Sequence, residues 1–315
     1  MESLQSIKQR IQGVKNINQI TKAMELVAAT KMRKSQEIAL SSRPYSFAAL
    51  ELLSNLTRID AEDSNIPLPE LFRSRSINKT LLVVITSDKG LAGAFNSAVI
   101  RSFEKFIEKE GIILPSSDIP LIGIGGKAVQ YLKKYSPVLT AEYIRIGDYT
   151  TVEEVLPIAQ TLIDGYLAGS WDRVIVFSTH FINALRQEVL IQEMFPITFE
   201  KVRTLIKDLT PSTGKYSADT IASESQEAQP TDYLIEPSPE ILLSDLARHL
   251  VLMQIYALIL EANASEHAAR RTAMKNASDN AKDISEKLTL EYNKSRQSEI
   301  TKQILEINAG AESLS

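Results

Sequence analysis

Two short stretches carry the residue types that phosphate chemistry uses. The first is 87–96, SDKGLAGAFN, which sets two glycines, Asp88 and Lys89 directly after the apolar run TLLVVIT (80–86) and ahead of a helix-forming segment. A turn in that position can present backbone N–H groups and a helix N-terminus to an anion. The second is 123–128, GIGGKA, again after an apolar run. The spacing argues against both. G-x-x-G is too short for the dinucleotide fingerprint and no GK[ST] follows it, while GIGGKA lacks the earlier glycine and the following Ser/Thr of a Walker loop. A tight strand-to-helix turn accounts for both sets of glycines. Asp88 has no second carboxylate that sequence can place beside it for acid–base work or metal binding. His180 closes a strand with no nucleophile to pair with. The three histidines, His180, His249 and His267, stand at no metal-ligand spacing, and the absence of cysteine excludes disulfides, thiolate metal sites, Cys nucleophiles and dithiol switches. No catalytic constellation, cofactor or metal is expected.

The elements around these turns point to an α/β body. TLLVVIT, 119–124 and DRVIVFST (172–179) read as buried strands, and 187–197 as a more exposed strand with alternating polar positions. Helices are expected from the first turn to about Glu110, from GGK to Tyr135, and to about Ala168. Thr150 and Thr151 with Glu153 and Glu154 offer capping boxes for the last, although Pro157 points to a later start. Strands alternating with helices imply a mostly parallel sheet covered on its faces. The stretch 60–78 reads as a linker, and 207–239, rich in Ser, Thr, Pro and acid, as a long loop with a possible edge strand at 233–235.

Long helices flank this body. From 239 to about 308 the chain has no proline after Pro239 and no glycine before Gly310, so one helix on the order of 100 Å is expected. Its apolar stripe needs a partner. Residues 3–57 supply one: Leu4, Ile7, Ile11 and Val14 step as a heptad, and Ile17, Ile20, Met24 and Val27 repeat it after an extra three-residue step, a stammer. Pro44 is expected to kink or end this helix. In the C-terminal run the seam Met274, Ala277, Ala281, Ile284 and Leu288 leads to a stutter at Tyr292 and a polar patch, NKSRQSE. Both helices meet the same body, so they pair antiparallel, and the longer one overhangs from about Lys294. The fold class is therefore α/β: a long antiparallel coiled coil of the N- and C-terminal helices plus a central Rossmann-like α/β domain, with bounds 1–58, 59–238 and 239–315.

Charge narrows the partners. The net charge is −4, and nucleic acid is not favoured because no aromatics interleave the basic residues. Yet Lys8, Arg10, Lys15, Lys22, Lys31, Arg33 and Lys34 are opposed only by Glu25. Such a run is either a solvated face or a flank for an acidic partner. No run of about 18 uncharged apolar residues exists, the longest being 250–260. The start, MESLQSIKQR, has neither a signal core nor a transit composition.

Three stretches in order, IKQRIQGVKNINQITKAMELVAATKMRKSQ, TSDKGLAGAFN and ASEHAARRTAMKNASDNAKDISEKLTLEYNKSRQSEITKQILEINAGAESL, resemble the gamma subunit of the F-type ATP synthase, as does YLIEPSPEILLSDL its bacterial form. The resemblance spans both ends and the middle of the chain. It implies a non-catalytic rotor shaft without a cofactor. One copy sits in a ring of three alpha and three beta subunits, its foot on the membrane c-ring with the epsilon subunit, and couples ion flow to ATP synthesis. The expected location is peripheral, on the cytoplasmic side of the plasma membrane. Matched position by position, Lys22, Met24, Lys31 and Arg33 lie in the family's neck motif. Arg296, Gln297 and Thr301 lie in its beta-contacting stretch, and Asp88 and Lys89 in its SDRGLCGGLN-like turn. Ala92 and Ala94 replace small residues of that turn, and Arg270 with Arg271 stands where the family often has Arg then Met. The alternative reading is a nucleotide-binding α/β protein with helical extensions.

Overall fold

A computed structural model describes residues 3–62, 69–73, 75–197 and 238–312. The chain divides into two compact units, one formed by 1–30 with 270–315 and the other by 31–269. Two helices contribute to both, α1 (Leu4–Glu62) and α5 (Pro239–Glu312).

The larger unit is built on a five-stranded sheet in the order β3-β2-β1-β4-β5. Its elements in chain order are β1 (Thr80–Ile85), α2 (Phe95–Glu110), β2 (Leu121–Ile124), α3 (Gly126–Leu132), β3 (Ala141–Tyr143), α4 (Val152–Leu167), β4 (Arg173–Phe181) and β5 (Gln187–Phe195). The first four strands are parallel, and β5 returns antiparallel to β4. Alternation along each strand sorts the apolar side chains onto two faces. Leu81, Val83, Ile85, Val174 and Val176 join one core with α4 and α5. Leu82, Val84, Ile175 and Phe177 join the other with α2 and α3. The chain winds outward from β1 to β3, then crosses to β4, so helices cover opposite faces as right-handed crossovers require.

The apolar run of α5 belongs to this core. Leu250, Val251, Leu252, Ile255, Tyr256, Leu258, Ile259 and Leu260 are buried, so the helix that is long and apolar enough to cross a membrane is here covering a sheet. A staple closes the sheet's other end. Arg75 donates to the carbonyls of Tyr166 and Trp171 at 2.6 and 2.5 Å, pairs with Asp172 at 2.8 Å, and lies 4.2 Å over the Tyr166 ring.

Several expectations shift. α1 passes Pro44 without ending. α4 begins at Val152 despite Pro157, which lies in its second turn and forgoes the helical hydrogen bond to the carbonyl of Glu153; the start is fixed by the capping box, Thr151 N–H donating to Glu154 Oε2 at 2.9 Å. α3 stops at Leu132, short of Tyr135. The three-residue β3, too short for a periodic signal, was not expected from the sequence. The edge strand expected at 233–235 lies outside the described residues.

In the smaller unit the heptads run without a skip. On α1 the seam runs through Leu4, Ile7, Ile11, Val14, Asn18, Thr21, Glu25 and Ala28, with Met24 partly covered at its edge, while Ile17, Ile20 and Val27 are 54, 60 and 54% exposed. On α5 the seam runs through Met274, Ser278, Ala281, Ser285, Leu288, Tyr292 and Ser295, with Ala277 partly covered beside it, while Ile284 is exposed. There is thus no stammer and no stutter. Small and polar residues keep the seam's phase where the apolar residues depart from it, which is what lets two backbones approach. Asn18 Nδ2 donates to the Ser278 carbonyl at 2.7 Å and to its hydroxyl at 3.3 Å. Counting outward antiparallel from that pair brings Val14 level with Ala281, Ile7 with Leu288 and Leu4 with Tyr292, all covered positions. An uninterrupted heptad implies a left-handed supercoil.

Candidate functional site

The turn after β1 and the start of α3 together form the feature that most resembles an anion site. The donors at the start of α3 are already used. Gly126 N–H donates to Asp88 Oδ1 at 2.8 Å, Lys127 N–H to the Ser87 carbonyl at 3.0 Å, and Ala128 N–H to Thr86 Oγ1 at 2.6 Å. Ser87 N–H donates to Asn96 Oδ1 at 3.0 Å, and the Ser87 hydroxyl to the Lys89 carbonyl at 2.6 Å. Gly125 has φ +92°, and a Cβ there would stand 2.0 Å from the Thr86 carbonyl oxygen. Gly125 and Gly126 therefore serve the close approach of two loops, and Asp88 caps a neighbouring helix. Among the described residues no group of His, Asp and Glu is disposed to hold a metal.

Exposed basic and apolar side chains gather instead on the two long helices. In the smaller unit Lys22 is exposed and pairs with Glu25 at 2.9 Å, Met24 is half-buried, and Arg270 is partly covered. Every residue from 296 to 309 is exposed, among them Arg296, Gln297 and Thr301. The Thr301 hydroxyl donates to the Gln297 carbonyl at 2.9 Å, so it is turned back on its own helix. Ile300, Ile304, Leu305 and Ile307 are exposed on the same stretch. On α1 the exposed Ile17, Ile20, Leu26 and Val27 stand among Lys15, Lys22 and the partly covered Met24. Residues that a monomer would bury are thus turned outward, as surfaces that meet other proteins are. In the larger unit Lys89 and Arg33 are exposed, and Lys31 forms an ion pair with Asp148.

The ATP synthase family model matches residues 3–314. The gamma chain of the ATP synthase of Roseiflexus castenholzii is 36% identical over 317 residues, covering 100% of this chain and 99% of that protein. The chain belongs to the ATP synthase gamma-chain family. The gamma chain of Heliobacterium modesticaldum is likewise 36% identical and covers 100% of both chains, and that of Geotalea uraniireducens is 35% identical over 314 residues. In fold the gamma-chain member described here is similar to a chain of the Euglena gracilis mitochondrial ATP synthase, solved with its OSCP, F1 and c-ring, at a TM-score of 0.62, 16% identity and coverage of 99 and 94%. It is also similar to a chain of the central stalk and c-ring of the Tetrahymena thermophila enzyme, at 0.56, 24% identity and coverage of 82 and 99%.

Sequence reasoning gave no role to Asp148, Asn263 or His267. Asp148 meets Lys31 across 117 positions of chain, and no local pattern signals such a contact. It also missed that Ile17, Ile20 and Val27 face outward. The signal was available, because continuing the first heptad from Val14 lands on Asn18 and Thr21 instead.

Proposed function

We infer that this gamma chain is the central rotor shaft of an F-type ATP synthase. The observation that carries the reading is the match to gamma chains over the full length, at about 36% identity. The paired helices fit it. A shaft drives its ring only if its interaction with each surrounding subunit depends on angle, since equal affinity for two states shifts neither. α1 carries basic and apolar residues together on its outer face, and every residue of α5 from 296 to 309 is exposed. Such a surface is asymmetric about its axis. The contacts must also exchange as the shaft turns, which suits exposed ion pairs worth about 0–1 kcal/mol each.

On this reading Lys22, Met24, Lys31, Arg33, Arg270, Arg296, Gln297 and Thr301 contact the alpha and beta subunits, and Asp88 and Lys89 lie near the beta and epsilon surfaces. The α/β body sits on the membrane c-ring with the epsilon subunit, one copy per complex. Ion flow through the c-ring turns the shaft and carries the beta subunits in sequence through states of different nucleotide affinity. The chain is itself non-catalytic, and its place is peripheral, on the cytoplasmic side of the membrane. The occupied donors at the start of α3 count against a phosphate-binding role.

Reconstitution with alpha and beta subunits tests the reading. One copy is expected per six-subunit ring, with ATP hydrolysis only in the assembled complex. Appreciable turnover by the purified chain, or a copy number other than one, would sink it.

A further inference from the structure

Lys31 is the first and Ala269 the last residue of the larger unit, and near these points α1 and α5 are tied to one loop, 144–151, between β3 and α4. The Asp148 carboxylate pairs with Lys31 Nζ, and its Oδ1 lies 3.2 Å from His267 Nε2. The Ser35 hydroxyl donates to the Asp148 carbonyl at 3.4 Å. Asn263 Nδ2 donates to the Gly147 carbonyl at 3.3 Å and to Thr150 Oγ1 at 2.9 Å, and the Thr150 hydroxyl donates to the same carbonyl at 2.8 Å. Lys31 with Ser35, and Asn263 with His267, are each i, i+4 pairs on one helix face. Ser35, Thr150 and His267 are buried. This is a built site, polar where most of the larger unit's core is apolar.

Apolar packing is non-directional, so by itself it sets a helix's rotation about its axis only weakly. Among the residues of α1 whose side chains are described, Ile38 and Ala39 pack on that core. Charge-assisted hydrogen bonds are directional and stronger than neutral ones. We propose that Asp148 is a positioning residue for rotary coupling, holding α1 and α5 at a set rotation to the α/β body so that torque on the body turns both helices together. The proposal rests on the rotor reading above.

The test uses the assembled, membrane-reconstituted complex and the ratio of ATP synthesis to ATP hydrolysis. With Asp148→Ala, hydrolysis stays near the unsubstituted rate while the ratio falls about fivefold. Asp148→Asn, which keeps the shape and loses the charge, gives the same fall, and Asp148→Glu restores most of the ratio. Arg75→Ala breaks the staple elsewhere in the same body; it lowers thermal stability and leaves the ratio unchanged. An unchanged ratio in Asp148→Ala, a Glu variant no better than Ala, or an equal fall in Arg75→Ala overturns the proposal. Failure of the unsubstituted chain to enter the complex overturns the rotor reading itself, and this proposal with it.

Discussion

At the scale of single residues, Arg75 and Asp172 show how one polar pair holds a connection that no regular element covers. Burial pushes the Asp172 carboxyl up, but the backbone N–H groups of Lys79 and Asn78, the Arg75 guanidinium and Lys79 together hold it below the usual carboxylate range. A carboxylate with a lowered folded-state pKa stabilises above its unfolded value and loses that contribution as pH falls through the folded one. The stability from this pair is therefore complete at neutral pH and fades in acid. Arg75→Ala is expected to cost about 2 kcal/mol, the scale of a lost charged hydrogen bond, and urea midpoints measured from neutral to acid pH should show the gap between variant and parent closing. Met24→Lys makes a different point. Met24 is half-buried at the edge of the seam, and a lysine can run its stem along the apolar surface with its charge in water. Stability should fall by less than about 1 kcal/mol, while the synthesis-to-hydrolysis ratio of the complex falls. An unchanged ratio would remove Met24 from the contact surface.

At the scale of elements, the seam separates what hydrophobicity encodes from what packing encodes. Ile17→Ser should change stability by no more than about 0.5 kcal/mol because the side chain is already in water. A seam position would cost several times that. Ala281→Leu should cost about 1–3 kcal/mol by overpacking, since Val14 stands level with a buried alanine. Chemical melts of both variants decide between the two registers. The strands β1, β2, β4 and β5 and the helix α2 were legible in the sequence, because each is a buried apolar run or a periodic one. The mostly parallel character of the sheet was legible for the same reason, and the antiparallel return of β5 was not. The phase of the coiled coil was not, because Asn18, Ser278 and Ser285 hold seam positions that an apolar count passes over, while Ile17 and Ile284 draw the eye to the wrong face. Nor was β3, which owes its place to pairing with β2 rather than to its own three residues. Of the candidate contact residues, motif position singled out Arg296 and Gln297, and their exposure on α5 is what a contact residue needs. Asp148 was illegible because Lys31 and His267, which it meets, lie far from it in the chain.

At the scale of the whole molecule, truncation after Ile307 should be mild for assembly, because the removed residues carry few charges. Complete loss of the complex, read by gel filtration, would contradict this. The purified chain should show no ATP turnover. A further consequence comes from the outward-facing Ile17, Ile20, Leu26 and Val27 together with Ile300, Ile304, Leu305 and Ile307. Water meets these side chains whenever the chain is alone, and apolar faces of this kind collect one another. A cell that makes this polypeptide in excess of its partners accumulates a sticky intermediate, so its supply has to be matched to theirs. A laboratory that expresses it by itself should find it in the pellet unless the subunits that cover those faces are made alongside it.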